Sequence, residues 1–146
     1  MITLRESIEI NRSVKEVYDY VVNVENAQKW QPAVIQVKRL TEGPTRVGTQ
    51  FSEVAKMMGM RISTTCEITE LEANKTIAFK ATSSGPIEYE TSYTFEPNGD
   101  RTRLNIHGTF RTKGFWKFLE PLFKAEIKKE SQGELVAMKR MIEARS

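Results

Sequence analysis

Two glutamates, Glu126 and Glu130, lie four residues apart in a C-terminal segment of good helix formers. In a helix, residues spaced by three and four lie on the same face. Here that face would contain Leu122, Glu126, Glu130, Gly133, Ala137 and Met141. A buried carboxylate without partners is costly, so it usually gains a hydrogen bond or becomes neutral. We therefore predict that Glu126 or Glu130 reaches a cavity and anchors a polar group of a ligand. The alternative is that helix rotation places Glu130 in water.

Tyrosines and other large side chains add to this prediction. Tyr89 and Tyr93 point the same way from one predicted strand and could orient a ligand carbonyl or hydroxyl, or be ordinary core tyrosines. By strand parity, Glu53 could enter the same space, unless a bulge turns it outward. The complete predicted ligand-binding set is Trp30, Met57, Phe79, Tyr89, Tyr93, Leu122, Phe123, Glu126 and Glu130.

Several kinds of chemistry lack their residues. One histidine and one cysteine cannot supply a nitrogen and sulfur metal site, and no aspartate cluster suggests a calcium or magnesium loop. Phosphate loops, dinucleotide fingerprints and nucleophile elbows are also missing from the sequence. We expect no metal and no cofactor. The formal net charge of +3 comes from interspersed acids and bases, so nucleic-acid binding is not expected either.

The chain as a whole suits one domain, residues 1–146. Its longest apolar runs are far shorter than the roughly 20 residues that span a bilayer, so integral membrane insertion is not expected. The first residues lack the features of a secretory signal, which makes a cytoplasmic location the expectation. Cys66 is the only cysteine, so no intramolecular disulfide can form.

Hydrophobic periodicity predicts the elements that position these residues. Residues 2–10 alternate as a strand, Ser13 and Glu16 have the spacing of a capping box, and a second short helix should end before Pro32. Six strands with turn residues between them fit residues 34–110. A long helix follows residue 114, with a break expected near Pro121. The predicted order is β-α-α-β6-α, an α+β domain.

Five short segments resemble the START-like, or SRPBCC, superfamily, and within it bacterial proteins of the polyketide cyclase/dehydratase-like type. They are residues 7–13 (SIEINRS), 24–30 (VENAQKW), 47–51 (VGTQF), 93–95 (YTF) and 119–122 (LEPL). The resemblance implies a helix-grip fold, in which a seven-stranded curved antiparallel sheet wraps around a long C-terminal helix and leaves an internal cavity. It implies little about chemistry, because one scaffold serves many functions.

Three functions follow as hypotheses. The favoured one is binding of a small apolar or lipid-like molecule in the cavity. The second is a cyclase/dehydratase-like enzyme that uses Glu126 or Glu130 as general acid/base while a tyrosine holds a substrate carbonyl. The third is a protein-partner or membrane-surface module, making transient contact through the hairpin tip at residues 57–60, where Met57, Met58 and Met60 lie. The sequence does not predict the ligand or the oligomeric state.

The cavity mouth has a predicted position. If the sheet curls around the last helix, four connections gather at one end of the molecule: residues 31–32, 57–60, 83–86 and 112–114. They would form the rim through which a ligand enters.

Overall fold

The computed structural model describes residues 1–83 and 85–145. Its strands are β1 (Ile2–Ile10), β2 (Val34–Arg39), β3 (Gln50–Met57), β4 (Met60–Glu72), β5 (Thr76–Thr82), β6 (Ile87–Asn98) and β7 (Arg101–Thr112). Its α-helices are α1 (Val14–Val22), α2 (Ala27–Trp30) and α3 (Glu120–Glu143), with 3₁₀ turns at Val24–Asn26 and Gly114–Leu119. The predicted element order is confirmed.

All seven strands form one antiparallel sheet in the order β1-β7-β6-β5-β4-β3-β2. Consecutive strands from β2 to β7 are neighbours, as short connections require, and β1 joins the far edge beside β7. The predicted alternation of buried and exposed side chains is confirmed in β1, where Ile2, Leu4 and Ile10 are buried while Thr3 and Arg5 are exposed. The sheet curves around α3, which confirms the helix-grip architecture.

The N-terminal helices begin and end where the sequence predicts. The Glu16 backbone N–H donates to the Ser13 hydroxyl oxygen across 3.3 Å, which caps the start of α1. The helix α2 ends at Trp30, because Gln31 takes an extended conformation before Pro32. Trp30 is thereby held at the helix end with its side chain buried.

The C-terminal segment breaks near Pro121, as predicted. A 3₁₀ turn ends at Leu119, and α3 begins with Pro121 in its first turn, where a missing N–H costs nothing. The buried residues of α3 are Phe123, Ile127, Ser131, Leu135, Met138 and Ile142.

The predicted inward face of α3 is wrong by one residue. The buried stripe is displaced by about 100° from the face that contains Leu122 and Gly133, since each residue turns the helix by that angle. Leu122 is 55% exposed, and a Cβ added at Gly133 would touch nothing within 4 Å. Close packing against the sheet therefore does not explain that glycine.

The apolar core has two parts. The main cluster packs α1 and the C-terminal half of α3 on the sheet, with Ile68, Ile77, Leu104 and Met138 among its fully buried members. The second cluster lies near the start of α3 and comprises Ile2, Leu4, Ile62, Ile87, Phe123 and Ile127. Residues of both clusters line one cavity, so the core is divided rather than filled solid.

Candidate functional site

A cavity of about 160 Å³ lies between the sheet and α3. Its wall combines inward side chains of all seven strands with one side of α3, the end of α1 and the α2 region. Most of these side chains are apolar, including Phe51, Ile62, Ile106 and Leu135. The wall therefore suits a guest that is apolar over most of its surface.

Six residues of the predicted ligand-binding set line this cavity: Trp30, Met57, Phe79, Tyr89, Tyr93 and Glu130. They come from three different strands and two helices, and the curvature of the sheet brings them together. Trp30 is 4% exposed, so its indole is a fixed part of the wall.

The other three predicted residues lie elsewhere. Leu122 points into solvent, Phe123 is fully buried in the second cluster, and Glu126 is half-buried outside the cavity lining. The physical reason is the rotation of α3, which turns Leu122 away from the sheet and takes Glu126 off the wall. Of the two predicted glutamates, the structure brings only Glu130 to the cavity.

Glu53 is the most buried carboxyl group of the cavity wall. Residues Phe51, Glu53 and Ala55 alternate inward along β3, so the pleat carries the carboxyl inside with 8% exposure. The Tyr89 hydroxyl donates to Glu53 Oε1 across 3.5 Å. Burial raises the pKa of Glu53 to about 7, and the Tyr89 hydrogen bond only partly opposes this.

Two more carboxyl groups face the cavity from α3. Burial, followed by the nearby charge of Glu126, raises the pKa of Glu130 to about 7. Burial and the charges of Glu130 and Glu53 raise the pKa of Glu134 to about 8. No lysine, arginine or histidine of residues 1–83 and 85–145 lines the cavity. Outside the wall, the charge of Lys129 opposes the rise in the Glu130 pKa, but it is the smallest of the causes.

Tyrosine and cysteine groups extend the polar part of the wall. Burial is the main cause that holds the pKa values of Tyr89 and Tyr93 above their usual range, so both phenols are neutral hydrogen-bonding groups. Cys66 Sγ lies 3.9 Å from the Tyr89 hydroxyl, and burial raises the pKa of this thiol to about 12. A buried thiol that stays protonated near neutral pH packs as a small apolar group and does not act as a nucleophile.

Edge-to-face aromatic contacts fix the position of the ring-bearing wall. Phe79 lies between two partners, with ring centroids 5.7 Å from Phe51 and 5.9 Å from Tyr93. Tyr93 in turn contacts Trp30 at 6.3 Å. These spacings are typical of favourable aromatic pairs, so the side of the cavity opposite α3 is preorganised.

Sequence reasoning missed Glu134. It follows Glu130 by four residues and therefore continues the same helical line toward the buried stripe. The pattern that indicates it is the stripe of Phe123, Ile127, Leu135 and Met138, whose apolar side chains are larger than those of the predicted inward face. With that stripe pointing inward, Glu130 and Glu134 both lie at its border.

Two of the four predicted rim connections contribute to the wall. Gln31 and Met57 line the cavity, whereas residues 112–114 and the described part of 83–86 do not. Ser84 lies outside the described residues. Met58 at the hairpin tip is 39% exposed with a φ of 53°, and Met60 packs against the second cluster.

The described residues hold neither a metal-binding cluster nor a membrane-spanning helix. Across residues 1–83 and 85–145, no three histidine, cysteine, aspartate or glutamate side chains are grouped so that they could hold a metal ion. No helix in that part of the chain is both long and apolar enough to cross a membrane.

Solved structures of similar fold come from several bacteria. The Zhui aromatase/cyclase from Streptomyces sp. R1128 matches with a TM-score of 0.86 at 16% identity, covering 98% of this chain and 94% of that one. A START superfamily protein from Mycobacterium smegmatis matches with a TM-score of 0.80 at 15% identity, covering 97% of both chains. At such identities the likeness shows the fold alone.

Sequence comparison gives the family. No curated protein matches the chain. The family described as "Polyketide cyclase / dehydrase and lipid transport" matches residues 1–143, nearly the whole length. The chain therefore belongs to the polyketide cyclase / dehydrase and lipid transport family.

Proposed function

We propose that this protein binds a small, mostly apolar molecule in the cavity and that the cavity carboxyl groups hold the polar part of that molecule. The observation that supports this most is the wall itself, which is apolar apart from three acids with no basic residue in the lining, the Gln31 amide, the Cys66 thiol and a few hydroxyl groups. A solid core would gain nothing from such acids, because burying each one costs free energy.

The size of the cavity limits the guest. A cavity of about 160 Å³ is comparable to the cavity of about 150 Å³ that accommodates benzene in an engineered protein. A single ring or a short branched chain fits without rearrangement. A polycyclic or long-chain guest requires movement of the rim near Gln31 and Met57.

The polar groups define what such a guest should carry. Glu53 and Tyr89 face it from the sheet, while Glu130 and Glu134 face it from α3. Because the pKa values of Glu53 and Glu134 are raised to about 7 and about 8, a protonated carboxyl is available near neutral pH. A protonated carboxyl can donate a hydrogen bond to a ligand carbonyl, which an ionised one cannot.

Ring-sized probes test this proposal. Cyclohexanone and toluene, titrated at pH 6 and pH 9 and followed by NMR chemical shifts, should both bind in the cavity. Cyclohexanone should bind more weakly at pH 9, because the donor proton is lost, whereas toluene should bind equally at both. Glu134→Gln should remove much of the pH dependence, since glutamine donates at any pH.

A matched control separates the cavity acids from surface acids. Glu70→Gln changes an exposed glutamate of β4 that is not part of the wall and should keep the pH dependence of cyclohexanone binding. If neither probe shifts resonances of Trp30 or Tyr93, the proposed binding site is refuted. If the pH dependence persists in both Glu53→Gln and Glu134→Gln, the proposed role of the acids is refuted.

Enzymatic activity is a second candidate, favoured by raised carboxyl pKa values beside tyrosine hydroxyls. A group that titrates near neutral pH can both accept and release a proton during turnover. In that case Glu130 or Glu134 would act as general acid/base, and Tyr89 or Tyr93 would hold a substrate carbonyl. Deuterium exchange at the carbons next to the cyclohexanone carbonyl would reveal it, with Glu→Gln variants slower than the wild type. If cyclohexanone exchanges no faster with the protein than in buffer alone, the enzymatic candidate is refuted and binding stays the proposed function.

A further inference from the structure

Three large apolar side chains are exposed to solvent in the 3₁₀ turn Gly114–Leu119 and the first turn of α3. Phe115 is 69% exposed, Phe118 is 71% exposed and Leu122 is 55% exposed. The rings of Phe115 and Phe118 are stacked with centroids 6.3 Å apart, so they form one patch. We call these three residues the aromatic surface. Grouped apolar exposure of this kind marks a binding surface more often than isolated exposed residues do.

The chain segment that carries the aromatic surface is positively charged. The segment 114–129 carries four lysines and two glutamates, which gives a net charge of +2. Lys117, Lys124, Lys128 and Lys129 are exposed, and none of them forms an ion pair with another described residue. Glu120, by contrast, is neutralised by the N-terminal amine at 2.8 Å. Glu126, the other acid of the segment, forms no ion pair with a described residue, so the free charges here are four lysines against one glutamate.

The aromatic surface is connected to the cavity wall through packed side chains. Phe115 stacks on Trp116 at 4.6 Å, and Trp116 meets Phe123 edge-to-face at 6.5 Å. Phe123 belongs to the second cluster, and its fellow members Ile62, Ile87 and Ile127 line the cavity. A continuous apolar path thus runs from the exposed rings to the cavity wall.

We propose that the aromatic surface docks on an anionic lipid bilayer. Phe115, Phe118 and Leu122 enter the interfacial region, and the lysines contact acidic headgroups. Amphipathic surfaces of this composition bind bilayers by apolar burial combined with attraction between lysines and anionic lipids. A bilayer supplies the two things that this surface lacks, an apolar environment and negative charge.

The charge argues against a second copy of the chain as the occupant. A symmetric dimer would place the same patch on both sides of the contact, so its unpaired lysines would face each other. The methionine tip is also a weaker anchor than the aromatic surface. Met58 is only 39% exposed, while Met57 lines the cavity and Met60 packs inward.

Vesicle flotation tests this proposal. The protein is mixed with vesicles of phosphatidylcholine and phosphatidylglycerol at 7:3, and separately with pure phosphatidylcholine, at low and high salt. We expect flotation with the anionic vesicles that falls when salt is raised, because salt screens the lysines. The double variant Phe115→Ser/Phe118→Ser should lower the partition coefficient about tenfold or more, since two exposed rings are lost. Lys117→Gln/Lys124→Gln should lower it about 30-fold on anionic vesicles only, since each lysine near such a surface contributes about 1 kcal/mol.

Two control variants make the result specific. Val136→Ser removes another exposed apolar side chain of α3, and Met58→Ser changes the methionine tip. Both should float like the wild type, and circular dichroism melting should show that every variant is folded. The proposal is overturned if the wild type fails to float with anionic vesicles, or if the phenylalanine variant floats undiminished. It is also overturned if the wild type is a dimer by light scattering that the phenylalanine variant converts to a monomer.

Discussion

Replacing Glu53 by glutamine should make the protein more stable at alkaline pH. The carboxyl is 8% exposed, and its burial raises the pKa from 4.5 to about 7 in the folded chain. Each tenfold change in proton affinity is worth about 1.4 kcal/mol, so this shift corresponds to about 3 kcal/mol. Glutamine has nearly the same shape and does not titrate in this range, so the variant lacks this contribution.

The sign follows from proton binding. Between pH 4.5 and pH 7 the unfolded chain loses the Glu53 proton while the folded chain keeps it, so the free energy of unfolding falls as pH rises. Above about pH 8 Glu53 is ionised in both states, and its carboxylate destabilises the folded chain by the full amount of about 3 kcal/mol. The stability difference between Glu53→Gln and the wild type should therefore grow, in favour of the variant, by about 3 kcal/mol from pH 4 to pH 8.5.

Urea unfolding followed by circular dichroism measures this difference at each pH. Glu70→Gln is the matched control, because Glu70 is exposed on β4, and its stability difference should stay within about 0.5 kcal/mol at all pH values. A difference that stays constant with pH would show that folding leaves the Glu53 pKa unchanged, and one that turns against Glu53→Gln at alkaline pH would show that the ionised carboxylate is stabilised in the folded state. The account of the cavity acids would then be refuted.

Three further substitutions test other parts of the structure. Gly133→Ala should raise the free energy of unfolding by about 1 kcal/mol in urea titrations, because the added Cβ meets no neighbour and glycine disfavours a helix; a loss of stability would contradict the open surroundings of this residue. Phe123→Ala should cost about 3–5 kcal/mol in the same assay, whereas Leu122→Ala should cost less than about 1 kcal/mol, and equal costs would contradict the observed rotation of α3. Ala55→Leu should fill part of the cavity and reduce toluene binding in NMR titrations while keeping the fold; unchanged affinity would place the binding site elsewhere.

The sheet could be predicted from sequence because its information is local. Period-two alternation and turn residues fixed the strands, and parity alone placed Glu53 on the same side as Phe51. Burial of a carboxyl at that position contradicts its residue type, so the sequence made it only a weak candidate. The closure of the sheet around α3 turned it into a wall residue.

The helix α3 shows where sequence reasoning stopped. Two stripes on this helix have spacings of three and four, one containing Leu122 and Glu126 and the other containing Phe123 and Ile127. Spacing cannot choose between them, because both satisfy the helical period. Packing of α3 against the sheet determines which stripe is buried, and it is the stripe with the larger apolar side chains. The error of one residue selected Glu126 in place of Glu134.

The exposed rings of Phe115 and Phe118 could not be predicted either. In the sequence they resemble core residues before a helix, and only the 3₁₀ turn at Gly114–Leu119 directs them outward. The cytoplasmic location and the membrane contact of the methionine tip stay predictions.

Native mass spectrometry of freshly isolated protein tests the central claim, that the divided core exists to hold a guest. The account predicts a population whose mass exceeds that of the chain by one small organic molecule, released on gentle activation and strongly reduced in Ala55→Leu. Only the bare chain mass in the wild type, together with no binding of ring-sized probes at any pH, would contradict it.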